Sequence, residues 1–328
     1  MNNTTVRWGI LGAGNIAHAF VNDFKWMERA SLVAIASADP LRAKAFAKRY
    51  SIPEAMSYDD LYRHKEIDAV YIATIHHLHF EQVLECLHSG KAVLCEKPIT
   101  INDNQFKILA NLSKQKKVFL MEAMWTYFLP AIVKAKRWID DDRIGKIKVI
   151  QADFAYPMNR VTQAKLFDRN LAGGSLLELG IYPIALAYYF TCRDPEKIMS
   201  TANLTNSGVD EQLAMTFQYV DATASLFSSI VTRMTNTGRI FGEKGYIEIP
   251  DFWRAIECKL FDHQFNLIES FQDNRISHGF IYEMQHANNC ILEGEYDSPI
   301  MPHSRSYSIQ KSMTEIRTQI GLKYPMEI

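Results

Sequence analysis

The apolar run Val6–Leu11 ends in Gly12-Ala13-Gly14-Asn15-Ile16-Ala17 and passes at once into a helical pattern. Few folds accept such a turn so near the N-terminus. Its first glycine permits a tight bend, its second lets the backbone approach a pyrophosphate, and its small last residue lets the helix pack on the sheet. The head of the helix adds unsatisfied amide donors and the positive end of the helix dipole. Gly12, Ala13, Gly14, Asn15 and Ile16 are therefore the expected cradle of a dinucleotide. A cradle of this kind needs a βαβ unit behind it. Apolar runs at Leu32–Ser37, Ala69–Ala73, Ala92–Cys95 and Val118–Met121 read as strands buried on both faces. The stretches Pro40–Tyr50, Phe80–Ser89 and Asp103–Lys114 read as helices between them, with Gly90 ending one as a C′ glycine. This order predicts a Rossmann-type α/β domain, a doubly wound parallel sheet, over residues 1–122.

After residue 122 the pattern changes. A helical stretch, Leu129–Asp141, precedes the long alternating strand "GKIKVIQADFAYP", and further strand-like runs fill Ile198 to Phe271 with turns at "NSG", "YVDA", "TNTG" and "GEKG". Helical patterns at His278–Glu293 and Ser304–Ile320 close the chain. Residues 123–328 are expected to form an α+β domain with a mainly antiparallel sheet and helices on one side. Two domains suit 328 residues, because single cores stop growing at about 250–300.

With 48% apolar and 22% charged residues the composition is that of a soluble globular protein. A net charge of -1 without basic blocks gives no support for nucleic acid as a partner. No apolar run approaches the roughly 20 residues that cross a bilayer, and the opening "MNNTTVRW" leads into no export pattern. Cys86, Cys95, Cys192, Cys258 and Cys290 are odd in number and lack any CxxC pair, which reads as reduced thiols in a cytoplasm.

The end of the second strand bears on the cofactor. An acid there grips the ribose 2′-hydroxyl of NAD. The sequence "LVAIASADPLRAKAF" instead places Ser37 at that point, with Arg42 in the first turn of the next helix. A small hydroxyl beside a guanidinium suits a 2′-phosphate, so NADP is favoured, with NAD as the alternative. Asp39 fits two roles, a helix cap or a contact to NAD.

With "GAGNIA" in place, "ATIHHLHFEQVLECLHSGKAVLCEKPIT" resembles the two-domain oxidoreductases typified by glucose-fructose oxidoreductase and inositol dehydrogenase, the Gfo/Idh/MocA family. "FLMEAMWTYFLPA", "AGGSLLELGIYPI" and "EGEYDSPIMPHSRS" are most similar to its dimeric dihydrodiol dehydrogenase and D-xylose dehydrogenase subgroup. The resemblance implies a C-terminal domain whose large open sheet forms a dimer face, hence a homodimer or higher homo-oligomer. It places Glu96, Lys97 and Pro98 beside the nicotinamide, with Lys97–Pro98 a cis candidate, and Thr74 and His76 on the cofactor side. His79 matches a family histidine near the substrate.

In the same family a histidine often serves as acid/base within "D-x-G-x-H"; this chain has Glu178-Leu179-Gly180-Ile181-Tyr182. Tyr182 is accordingly the expected proton-transfer residue. A free phenol titrates near 10, too high for a neutral-pH base, and the ammonium of Lys97 favours its phenolate. On a regular helix begun near Gly174, Glu178 and Tyr182 share one face as i and i+4, so Glu178 is expected to orient substrate hydroxyls or hold Lys97. Trp125 is the expected apolar wall. Tyr127 stands where the subgroup has arginine, which removes a fixed cation and points to a neutral sugar, polyol or cyclic diol. The "HHLH" run at residues 76–79 lacks the converging set that zinc needs, so no metal is expected. The rival reading is a non-catalytic dinucleotide-binding regulator, since fold does not dictate activity, and the reaction direction is open between dehydrogenase and reductase.

Overall fold

The structure, a computed structural model, describes residues 5–327, so the first four residues of the polar opening lie outside it. The chain forms two compact units. One runs to Trp125 and is completed by Ile276–Tyr307; the other comprises Thr126–Arg275 and the segment from Ser308 onward.

In the first unit β1 (Val6–Leu11), α1 (Asn15–Phe24), β2 (Ala30–Ala36), α2 (Pro40–Tyr50), β3 (Glu54–Met56), α3 (Tyr58–Arg63), β4 (Ala69–Ile72), α4 (His76–His88), β5 (Ala92–Glu96), α5 (Asp103–Lys116) and β6 (Leu120–Ala123) follow in order. All strand pairs are parallel, in the order β3-β2-β1-β4-β5-β6. Strands β4 and β5 are buried throughout, as strands covered on both faces must be. The element order thus bears out the expected doubly wound sheet; β3 and α3 are additions, too short for the periodicity to reveal. Because the sheet is parallel, the carboxyl ends of β1, β2, β4 and β5 lie along one edge. The order reverses between β1 and β4, the switch point where open α/β sheets take their ligands.

The second unit holds α6 (Pro130–Asp140), β7 (Ile147–Ala155), α7 (Ile181–Thr191) and the strands β8 (Lys197–Leu204), β9 (Asp210–Gln218), β10 (Thr223–Ser229), β11 (Gly238–Gly242), β12 (Gly245–Ile249), β13 (Glu257–Asp262) and β14 (Leu267–Gln272). They form one sheet, β14-β13-β12-β11-β7-β10-β9-β8, antiparallel except for β7 with β10. This is the expected large, mainly antiparallel sheet. Helix α7 is almost wholly buried. The stretch Arg169–Thr191 around it does have the length and apolarity of a membrane-crossing segment, contrary to the sequence expectation, and 89% of its most apolar window lies buried inside the protein.

Two further helices follow, α8 (Phe280–Glu293) and α9 (His303–Gln319), the latter carrying the chain from the first unit into the second. The return of Ile276–Tyr307 to the first unit departs from the simple division at residue 122, and the cause is polar. Buried Asp23, in α1, accepts hydrogen bonds from the main-chain amides of His278, Gly279 and Phe280, each at 2.9 Å, and so caps α8. Trp8 Nε1 donates to Asn288 Oδ1 at 3.0 Å, tying the same helix to β1.

Candidate active site

The first unit gathers its chemistry on the carboxyl edge of the sheet. Gly12 leaves β1 at φ +108°, and a Cβ there would lie 2.8 Å from the carbonyl oxygen of Ala73, at the end of β4. Only glycine fits both the torsion and that approach. Gly14 is the N-cap of α1 and offers no side-chain acceptor, nor is any acidic residue present in the first turn. The amides at the helix head and the positive dipole end therefore keep their capacity for an anion, and a pyrophosphate fits this cradle. Gly12, Ala13, Gly14, Asn15 and Ile16 all sit in it.

At the end of β2 the two roles left open for Asp39 are resolved in favour of the cap. Its carboxylate accepts from the amides of Leu41 (2.9 Å) and Arg42 (3.3 Å) at the start of α2. Ser37 Oγ accepts from the Asp39 amide at 3.2 Å, and the Arg42 side chain is exposed. Ser37 thus closes the strand, Arg42 stands in the first turn of α2, and one oxygen of the carboxylate between them accepts from main-chain donors.

Beyond β4, Thr74 Oγ1 donates to Gln82 Oε1 at 2.6 Å, and His76 and His77 open α4. His79 is 1% exposed, with Nδ1 2.8 Å from the Pro98 carbonyl and Nε2 3.2 Å from the Thr74 carbonyl. Burial, with help from the neighbouring His76, lowers its pKa to about 4, so the imidazole is neutral at pH 7. Its rings and bonds join the β4–α4 turn to the segment that follows β5. That segment is Glu96-Lys97-Pro98, with a cis bond between Lys97 and Pro98. Buried Glu96 accepts from the Tyr71 hydroxyl at 2.6 Å and from the Lys97 amide at 3.3 Å. Trp125 stacks on Phe280, ring centroids 4.6 Å apart.

Sequence reading missed Glu283. It arrives on α8, fully buried, and neither carboxyl oxygen has a hydrogen-bond partner among the protein groups. Burial, with the nearby charge of Glu96, holds its pKa well above the usual carboxylate range. Two buried carboxyls do not readily ionise side by side, so Glu283 is biased toward its neutral form. No local pattern in α8 signals this; only the return of that helix to the first unit brings it in.

The second unit holds Glu178 and Tyr182. Here the helix does not begin regularly. Leu176–Gly180 form a π-helical turn, in which the Ile181 amide reaches back to the Leu176 carbonyl. Pro183 supplies a reason: it has no N–H for the Leu179 carbonyl, and its ring crowds that carbonyl in an ordinary α-turn. The regular helix expected over Glu178 and Tyr182 is thus replaced by a wider turn at Glu178, and Tyr182 follows it in α7. Tyr182 is 7% exposed and set edge-on to Phe154 (5.2 Å, 89°) and Trp253 (6.3 Å, 72°). Tyr127, which stands where the subgroup has arginine, is buried and donates its hydroxyl to the Ala185 carbonyl of α7 at 2.7 Å. Among the described residues no group of three or more His, Cys, Asp or Glu is arranged to hold a metal ion.

Comparison with known proteins agrees with this architecture. Residues 6–124 match the oxidoreductase family with an NAD-binding Rossmann fold, and residues 132–248 match the GFO/IDH/MocA C-terminal domain. The trans-1,2-dihydrobenzene-1,2-diol dehydrogenase of Xenopus tropicalis is 34% identical over 97% of this chain and 99% of its own. In structure the chain is similar to the aldose-aldose oxidoreductase of Caulobacter crescentus complexed with glycerol, with a TM-score of 0.86 at 24% identity over 96% of this chain and 97% of the other. It is equally similar to a 3-ketoreductase of Actinomadura kijaniata in complex with NADP and TDP-benzene, with a TM-score of 0.86 at 23% identity over 96% and 98%. With both halves of the chain matched and a full-length relative above 30% identity, the chain belongs to the GFO/IDH/MocA family of oxidoreductases.

Proposed function

We propose that this protein transfers hydride reversibly between a nicotinamide cofactor, NADP in preference to NAD, and a secondary alcohol or hemiacetal carbon of a sugar, polyol or cyclic diol. The observation that carries the reading is the carboxyl edge of the first sheet, where the glycine cradle after β1 and the Glu96-Lys97-Pro98 segment after β5 emerge side by side with β4. Gly12, Ala13, Gly14, Asn15 and Ile16 hold the pyrophosphate, with Thr74, His76 and Glu96 on the nicotinamide side. Ser37 and Arg42 receive a 2′-phosphate, a role favoured by the diversion of Asp39 into the α2 cap. When bound, the nicotinamide accepts or donates the hydride.

Tyr182 removes the alcohol proton in oxidation and returns it in reduction. Lys97 stabilises the phenolate that this requires. Glu178 orients substrate hydroxyls, and Trp125 is an apolar wall. His79 acts by donating from Nδ1 to the Pro98 carbonyl, 2.8 Å away, and so fixes the Lys97 segment. The buried, hydrogen-bonded Tyr127 in place of a cation supports a neutral substrate. The full-length likeness to dihydrodiol dehydrogenases supports cyclic diols as the first compounds to assay.

The test is Tyr182→Phe. Its ring keeps the contacts to Phe154 and Trp253, so the fold stays and the proton route goes. NADPH binding is expected to be unchanged, while turnover of cyclic diols and D-xylose falls by about 10²- to 10⁴-fold. Turnover within threefold of wild type would remove Tyr182 from the mechanism. We also infer a homodimer formed through the outer face of the second sheet, on which Met199 and Phe227 are exposed, and a reducing cytoplasm as its compartment, in keeping with five unpaired cysteines. A solution mass of one chain in light scattering would exclude the dimer.

A further inference from the structure

The Tyr182 helix is held by a group that lies in neither sequence motif. Asp210, the first residue of β9, is fully buried. Its Oδ2 accepts from Ser175 Oγ at 2.7 Å and from the Leu176 amide at 2.7 Å, the residue where the π-helical turn begins. Ser175 Oγ also lies 3.0 Å from Ser228 Oγ on β10, so the turn is tied to two neighbouring strands. The other oxygen, Oδ1, has no hydrogen-bond partner among the protein groups and occupies the space of an absent side chain: a Cβ on Gly174 would come within 2.1 Å of it. Gly174 has φ +119°, which other residues rarely adopt. The glycine and the carboxylate therefore define one another. Above them the turn ends at Ile181, and Tyr182 is the next residue.

We propose that Asp210 is the positioning residue for Tyr182: its carboxylate fixes the first turn of the helix, and that turn fixes where the phenol stands. The inference rests on the reading of Tyr182 as acid/base. A charged acceptor bonded to a helix-start amide is stronger than a neutral cap, and burial from water leaves the turn no substitute acceptor of equal quality. A π-helical turn is less favourable than an α-turn, so its retention depends on such an anchor. Misplacement of a reacting group by about 1 Å costs about 10²-fold in rate.

The experiment compares Asp210→Ala, Asp210→Asn and Ser175→Ala with wild type in NADPH titration, steady-state kinetics and amide hydrogen exchange. Asp210→Ala is expected to lower kcat by about 10- to 100-fold, with the NADPH Kd unchanged and exchange accelerated over residues 175–182. In Asp210→Asn the side-chain oxygen still accepts both bonds, so most of kcat returns and exchange slows again. Ser175→Ala removes one of the two bonds and is expected to lower kcat severalfold. Should Asp210→Ala fail to fold, Ser175→Ala and Asp210→Asn decide: wild-type kcat together with wild-type exchange over residues 175–182 in Ser175→Ala overturns the proposal. So does a folded Asp210→Ala with full kcat, or an Asp210→Asn as impaired as Asp210→Ala. Tyr182→Phe, measured alongside, separates the two readings. If it retains turnover while Asp210→Ala still loosens residues 175–182, the acid/base reading fails and the anchoring stands; if it is inactive while Asp210→Ala is normal, only the anchoring fails.

Discussion

Acidification from pH 7 to pH 5 pulls the stability of this protein in opposite directions at two buried groups. Burial, with a smaller contribution from His76, lowers the pKa of His79 from 6.5 to about 4. The unfolded chain then takes up the proton first, so this contribution to stability is present above 6.5 and is lost as the pH falls toward 4. With those two values, linkage gives a loss of about 2 kcal/mol between pH 7 and pH 5. Asp210 behaves in the opposite sense. Burial raises its pKa from 3.8 to about 6, against the lowering effect of the Ser175 and Leu176 hydrogen bonds. Its folded form takes up the proton first, and stability rises by about 1 kcal/mol over the same interval. In the wild type the second contribution offsets about half of the first. They separate in variants. His79→Gln supplies amide donors to the Pro98 and Thr74 carbonyls without titrating, so its urea-unfolding free energy is expected to fall about 2 kcal/mol less than wild type between pH 7 and pH 5. Asp210→Asn should fall about 1 kcal/mol more than wild type. The measurement is the pH difference within each variant, which removes the direct cost of the substitution. A His79→Gln variant with the wild-type pH response would refute the assignment of a neutral, desolvated imidazole at that position.

Two further outcomes follow from the geometry. Asp23→Ala leaves three main-chain amides at the head of α8, two of them buried, without their acceptor, and should cost about 3 kcal/mol in chemical unfolding; an unchanged midpoint would show that α8 does not depend on that cap. Arg42→Ala should weaken NADP binding by about tenfold and leave NAD binding unchanged, as read by fluorescence titration; equal weakening of both would place Arg42 elsewhere than at a 2′-phosphate.

Much of the first unit was legible because its signals are local. Gly12 is required by torsion and approach within one turn, and an all-parallel sheet makes its strands visible as short apolar runs. The roles proposed for Lys97 and Tyr182 come only from the resemblance to a family; strand and helix periodicity says nothing of them. The regular helix assumed around Glu178 and Tyr182 failed for a reason that was present in the sequence, since Pro183 stands where an α-helical turn would need a donor. The role of Asp39 was equally present in principle: an Asp-Pro pair at a helix start is a cap signal, and the structure uses it as one.

The groups that reading missed share a physical property. Asp23 serves amides at residues 278–280, Asp210 serves residues 175 and 176, and Glu283 lies with Glu96. Each is an acid buried by a segment far away in the chain. A carboxylate near its own helix leaves a pattern of spacing, but one that satisfies distant amides looks in the sequence like an ordinary surface acid. Burial is then the informative quantity: a carboxylate removed from water survives only where main-chain donors or a proton compensate it. In Asp23 and Asp210 the compensation is a helix start, and in Glu283 it is a proton. The two ways of compensating a buried acid assign different work to these residues. Those bonded to amides hold a helix start, whereas Glu283, without such donors, is pushed toward its neutral form by burial and by the neighbouring Glu96.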